Sequence, residues 1–136
     1  MKEMEIRHEP PPMLEAINKA GMFPDLDTTV FTYGYILYNP GKNRIPMHLM
    51  EHESTHAKQQ TEFNGGPDAW WLRYLSDVDF RINQEVEAYR AQYKTYCKLN
   101  TQFMRRATFL ASIAEDLSGP IYNAHISFEQ ARAMIV

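Results

Sequence analysis

Residues 50–60 read "MEHESTHAKQQ", Met50 to Gln60, and hold two of the chain's five histidines, four residues apart, with Glu53 directly after the first. How this stretch packs decides the fold. At about 100° per residue of helix, Leu49, His52, Glu53, His56, Gln60 and Phe63 share one side, and Glu51, Ser54, Lys58 and Glu62 share the other. The polar motif therefore interrupts the face that a soluble helix buries. Buried polar groups need partners, and a metal ion is one such partner.

His52 and His56 lie one turn apart on the same face, where two imidazoles can converge on one ion at about 2.0–2.1 Å. Glu53 points about 100° away, placed to reach a water beside that ion without ligating it. Zinc lowers the pKa of a bound water to about 7, and a neighbouring carboxylate can take its proton. His48 extends the series to i, i+4, i+8, but it lies roughly 12 Å along the axis from His56 and cannot share the ion. It is read as a partly exposed neighbour, with a role in substrate contact or in supporting a ligand as the alternative.

The rest of the chain frames this helix. At 136 residues, with 44% hydrophobic and 23% charged residues, the sequence suits one globular domain over 1–136. A net charge of −3 and a pI near 5.9 give no basic face for nucleic acid. Cys97 is the only cysteine, which excludes an intrachain disulfide and a thiolate-based zinc site. The start, "MKEMEIRHEPPPM", lacks the apolar core of a secretory signal, and no run reaches the roughly 18 apolar residues of a membrane span. Nucleic acid and membrane are not expected as partners, and a cytoplasmic protein is.

Pro10-Pro11-Pro12 stiffens a lead-in that delivers a short helix, about 13–20, within residues 1–27. The β-branched and aromatic run "TTVFTYGYILYNPGKNRI" predicts a hairpin or edge strand over 28–45, with a type II turn at Asn39-Pro40-Gly41-Lys42. The motif helix spans 46–63, ended by Asn64-Gly65-Gly66-Pro67, and a brief helix over 68–75 carries Trp70 and Trp71. Ser76-Asp77-Val78-Asp79 predicts a capped helix over 77–99. The C-terminal helices fall within 101–136, one capped by Thr101 and one by the box Ser127-Phe128-Glu129-Gln130. The class is α+β, mostly helical, with one small β element before the motif helix.

A catalytic zinc usually has three protein ligands and one open position. In "INQEVEAYRAQYKTY" the apolar stripe Ile82, Val86, Tyr89, Tyr93, Tyr96 carries Glu85 on its flank, whereas Glu87 lies opposite beside Asn83, Arg90 and Lys94. A carboxylate on a burying face is costly unless it is paired or coordinates a metal. Glu85 is thus the third candidate ligand, the alternative being an ion pair to Arg73 or Arg81. Trp70, Trp71 and the tyrosine stripe read as core.

His52-Glu53-Ser54-Thr55-His56, followed 29 residues later (85 − 56) by Glu85-Val86-Glu87-Ala88-Tyr89, resembles the gluzincin metallopeptidases. Its small size and the β element before the motif helix resemble the minimal "minigluzincin" form. "HAKQQ" and "LSGPIYNAHISFEQARAMI" resemble small phage- and prophage-encoded proteins of this type, which implies a host-cytoplasm location. The resemblance implies a zincin-like fold and Zn2+ held by His52, His56 and Glu85, with Glu53 as general base. It further implies an extended peptide or protein substrate paired to the preceding strand. Tyr122 and His125 become the candidates for the late oxyanion donor. Tyr89 departs from the family, which often has an aspartate there to orient a ligand histidine.

The expected function is zinc-dependent hydrolysis of peptide bonds. The alternative is a catalytically weak or latent zinc-binding phage structural or interaction protein on the same fold. A di-iron carboxylate bundle needs a second E-x-x-H, and the other one present is Glu5-Ile6-Arg7-His8, next to the proline run.

Overall fold

The structure, a computed structural model, describes residues 2–136 and is an α+β fold dominated by helix. Strand β1 (Glu5–Arg7) is followed by helix α1 (Leu14–Ala20), a 3-10 turn (Leu26–Thr28), and strands β2 (Phe31–Tyr33) and β3 (Ile36–Tyr38). Then come α2 (Met47–Glu62), α3 (Gly66–Ser76), α4 (Val78–Leu99), α5 (Phe103–Leu117), a second 3-10 turn (Pro120–Tyr122) and α6 (Phe128–Ile135).

The β element departs from the expected hairpin in two ways. Gly34-Tyr35 joins β2 to β3, with Gly34 at φ +59°, and Phe31, Thr32 and Tyr33 face Tyr38, Leu37 and Ile36 in antiparallel register. Asn39–Lys42 is a turn that follows the sheet, closed by the Lys42 N–H donating to the Asn39 carbonyl at 3.1 Å. Its positive φ falls on Lys42 (52°) and not on Gly41, so it is not type II. Gly41 is needed for close approach, since a Cβ there would stand 1.7 Å from the Asp27 carbonyl oxygen. A Pro-Gly pair marks a chain reversal but does not say which strands it joins.

The second departure is β1, which pairs in parallel with β3 and gives the strand order β1-β3-β2. All three β1 residues are exposed, so no apolar alternation marks the strand in the sequence. Main-chain bonds hold it, including the Glu5 N–H to the Tyr35 carbonyl at 2.8 Å and the Asn39 N–H to the Arg7 carbonyl at 2.7 Å. This also removes the di-iron alternative. Glu5 and His8 lie on an exposed edge, and the Glu5 carboxylate pairs with Arg7.

Cap positions differ by a residue. Asp77, not Ser76, caps α4, its carboxylate accepting from the Phe80 N–H at 3.1 Å, while the Ser76 hydroxyl turns back to the Leu72 carbonyl. Gln102, not Thr101, precedes α5 and makes no side-chain cap. Ser127 and Gln130 form the capping box of α6. α2 ends at Glu62, just before Asn64-Gly65-Gly66-Pro67, and Pro67 itself occupies the first turn of α3, where its missing N–H costs nothing.

Two cores result. One is aliphatic, from Ile82, Leu110, Ile113, Ala114, Leu117, Ala131 and Ile135 with Tyr122. The other is aromatic, from Phe31, Tyr38, Trp70, Trp71, Tyr74 and Phe80 with Ile17. Helix α2 packs mainly against α4, and a cavity of about 320 Å3 opens between the cores, lined by members of both.

Candidate metal centre

Helix α2 buries His52, Glu53, His56, Ala57 and Gln60, so four of the five residues it hides are polar. The facing helix α4 buries Glu85 on its inward side. Their side chains converge. Glu85 Oε1 stands 3.0 Å from His52 Nε2 and 2.9 Å from His56 Nε2, and the two imidazole nitrogens are 3.2 Å apart. Three donors about 2.0–2.1 Å from one tetrahedral zinc stand about 3.3 Å apart, so this triangle fits such an ion after a small outward adjustment. Glu53 belongs to the same buried group, its ligand atom and those of His52 and His56 all within 4.8 Å of one another. Glu85 Oε1 lies nearer to both imidazoles than that limit.

The far side of each imidazole decides which way its lone pair points. His56 Nδ1 lies 2.8 Å from Gln59 Oε1, and Gln59 Nε2 donates to the Gln84 carbonyl at 2.9 Å. A carbonyl can only accept, so the Gln59 amide is fixed and His56 Nδ1 must carry the proton. His52 Nδ1 lies 2.8 Å from Gln92 Oε1, and Gln92 Nε2 is 3.0 Å from His48 Nδ1. With Gln92 Nε2 donating to His48 Nδ1, Gln92 Oε1 accepts from His52 Nδ1–H. Both neutral rings then turn an Nε2 lone pair toward a carboxylate oxygen. Three acceptors facing one buried point repel unless a cation sits among them.

A proton is the simplest such cation. Burial lowers the pKa of His56, but the Glu85 carboxylate more than reverses this and brings it to about 9. Burial likewise pushes Glu85 up, and the two imidazoles override it, holding its carboxyl well below the usual range. One proton satisfies one contact of the triangle, whereas a divalent ion satisfies all three. That chemistry is what makes the set fit a metal.

The surroundings support the triangle. Glu85 Oε2, the oxygen turned away from the histidines, accepts from the Tyr74 hydroxyl at 2.5 Å, which leaves Oε1 as the presented atom. Burial and then the charge of Glu85 push the phenols of Tyr74, Tyr89 and Tyr122 well above 10, so all three stay protonated. Burial raises the Glu53 carboxyl, opposed by His52 and His56, and the Thr32 hydroxyl donates to its Oε2 at 3.3 Å.

The structure brings together His52, Glu53, His56, Glu85 and Tyr122 around one cavity, which Tyr89, Gln92 and Asp116 also line. It does not bring His125 there. That imidazole is half exposed on the surface, its Nε2 2.9 Å from Asp79 Oδ1, and it has no access to the cavity's chemistry. The alternative partners of Glu85 are engaged elsewhere: Arg73 with Asp77 at 3.4 Å, and Arg81 with the Tyr74 carbonyl at 3.2 Å. His48 meets the stacked rings of Tyr96 and Phe109 edge-on, and its Nδ1 lies 3.0 Å from Gln92 Nε2.

Tyr89 makes no hydrogen bond to either imidazole. Its ring meets His52 edge-on at 4.7 Å, and Gln92 and Gln59 take the orienting role. Sequence reasoning missed Gln59, Gln92, Tyr74 and Thr32. The available signal was spacing: Gln59 is one turn past His56, and Gln92 is two turns past Glu85 on the same face of α4.

One further observation concerns the sheet edge. β2 is an edge strand, but the Thr32 carbonyl already accepts from Gln60 Nε2 at 2.8 Å and Trp71 Nε1 at 2.9 Å, while the Gly34 N–H donates to Gln60 Oε1 at 2.7 Å. Thr28, Thr29 and Val30, just N-terminal to it, also line the cavity, with the Thr29 N–H donating to the Leu26 carbonyl at 3.3 Å. No family model matches this chain, and neither a curated protein nor a solved structure is found to be similar to it.

Proposed function

We propose that the chain is a zinc-dependent metallopeptidase of gluzincin type, with His52, His56 and Glu85 holding the ion. The observation that carries this reading is the convergence of three acceptor atoms, His52 Nε2, His56 Nε2 and Glu85 Oε1, within 2.9–3.2 Å of one another at a buried point. Zinc, when bound there, polarises a substrate carbonyl and acidifies the attacking water.

The chain's own residues do the rest. Gln59 and Gln92 hold the imidazoles with their lone pairs inward, and Tyr74 holds Glu85 in a single presentation. Glu53, buried beside the pair, takes the proton of the attacking water on its carboxylate and hands it to the departing amine. The neutral phenol of Tyr122 donates to the oxyanion as the carbonyl is attacked. An extended peptide is held along the main chain of Thr28–Val30.

The occupied Thr32 carbonyl favours a second reading, a zinc-binding phage structural or interaction protein whose site does not turn over. Both readings predict one zinc per chain by elemental analysis. Only the first predicts cleavage of a peptide library by the wild-type chain. Glu53→Gln should then lower turnover by about 10²- to 10⁴-fold while zinc content stays at one. Full hydrolysis by that variant with zinc in place would sink the mechanism.

A further inference from the structure

Between Glu87 and Glu115 the chain has no acidic residue, yet it carries Arg90, Lys94, Lys98, Arg105 and Arg106, in a protein of net charge −3. The middle of this run is the corner where α4 ends at Leu99 and α5 begins at Phe103. Three large apolar side chains protrude there: Leu99 is 56% exposed, Phe103 78% and Met104 70%. The corner is rigid, because Arg106 reaches back to the Asn100 and Cys97 carbonyls, each at 2.6 Å, and closes the end of α4. Among the described residues none of the five cations pairs with a carboxylate.

We propose that this corner docks on an anionic lipid surface, with Leu99, Phe103 and Met104 entering the headgroup region and Lys98 and Arg105 meeting the lipid phosphates. Charge selects an anionic partner, and the apolar residues select among anionic partners. Nucleic acid offers no place for an exposed leucine, phenylalanine and methionine on one corner. An acidic protein needs a matched surface of about 20–30 residues a side, while the corner spans Lys98 to Arg106. A bilayer needs no matched pocket and accepts a protruding apolar tip flanked by cations. This is contact at a surface. No helix among the described residues is long and apolar enough to cross a membrane, and the proposal does not require one.

The test is sedimentation of the full chain with phosphatidylcholine vesicles, with and without about one third phosphatidylglycerol. The expected result is at least about tenfold stronger partition onto the anionic vesicles, falling as salt rises from about 0.05 to about 0.5 M. Lys98→Glu with Arg105→Glu should weaken partition by at least about 25-fold, about fivefold for each cation lost. Phe103→Ser with Met104→Ser should weaken it by at least about tenfold. All four side chains are on the surface, and unchanged circular dichroism confirms that the variants fold. Chelation of metal should leave partition unaltered, which separates this proposal from the reading of the buried site. Equal binding to both vesicle types, no binding at low salt, or wild-type partition by either variant overturns it. Retention on immobilised polyglutamate without partition onto vesicles assigns the corner to an acidic protein and likewise overturns it.

Discussion

Helices α2 and α5 are nearly equal in length, at 16 and 15 residues, and they bury opposite chemistry. α5 hides Leu110, Ile113, Ala114 and Leu117; α2 hides His52, Glu53, His56 and Gln60 with Ala57 as its one apolar member. Apolar burial stabilises a fold directly, at about 25 cal/mol per Å2, whereas a buried polar group returns little beyond the cost of its desolvation even when bonded. α5 therefore helps hold the molecule together, and α2 is held in place by its neighbours. The aromatic core around Trp70 and the partners of Gln60 anchor α2 from one side, and α4 anchors it from the other. The difference separates where stability resides from where the chemistry resides, and it can be broken from either end.

The largest effect is expected in α5. Leu117→Ala empties a fully buried position of the aliphatic core and should cost about 2–5 kcal/mol in chemical denaturation, with zinc affinity close to wild type in the folded fraction. A matching loss of zinc affinity would show that the two regions are not separate. Glu85→Gln attacks the other end: isothermal titration should show zinc binding weakened by at least about 100-fold, from the loss of a charged ligand. Gln92→Leu leaves all three proposed ligands in place and removes only the acceptor that orients His52, so about 10- to 100-fold weaker zinc binding is expected. If Gln92→Leu binds zinc as wild type does, the amide is mere packing.

The smallest effect concerns neither helix and sets the background. The Phe80 N–H holds the Asp77 carboxyl below its ordinary 3.8. A lowered carboxyl contributes stability that is fully present above that ordinary value and is lost as pH falls through the lower folded one. The melting-temperature difference between wild type and Asp77→Asn should therefore be constant above about pH 5 and shrink below about pH 4. A difference that persists undiminished to pH 2 would assign the cap no charge-dependent role.

The α+β character, the dominance of helix and the polar interruption of α2 were all legible from residue pattern. So was the inward flank of Glu85, because helical periodicity depends only on neighbours a few residues away. The Ser127-Gln130 box was legible for the same reason. β1 was not, since an exposed strand carries no apolar signature and is defined by a partner some 30 residues along the chain. Nor was the true hairpin turn at Gly34-Tyr35, because Pro40-Gly41 is the stronger local signal and register is a non-local property.

At the site, the sequence by itself determined the kinds of group available: two histidines one turn apart, a glutamate beside them, and a carboxylate on a second helix. Tertiary structure alone decided which groups meet. It placed Tyr122 at the cavity and His125 on the surface, although the two are only three residues apart, because the left-handed residues Asn123 and Ala124 turn the chain between them. It gave the orienting role to Gln59 and Gln92 and not to Tyr89, because that role depends on ångström-scale positions across the α2–α4 interface, which periodicity cannot supply.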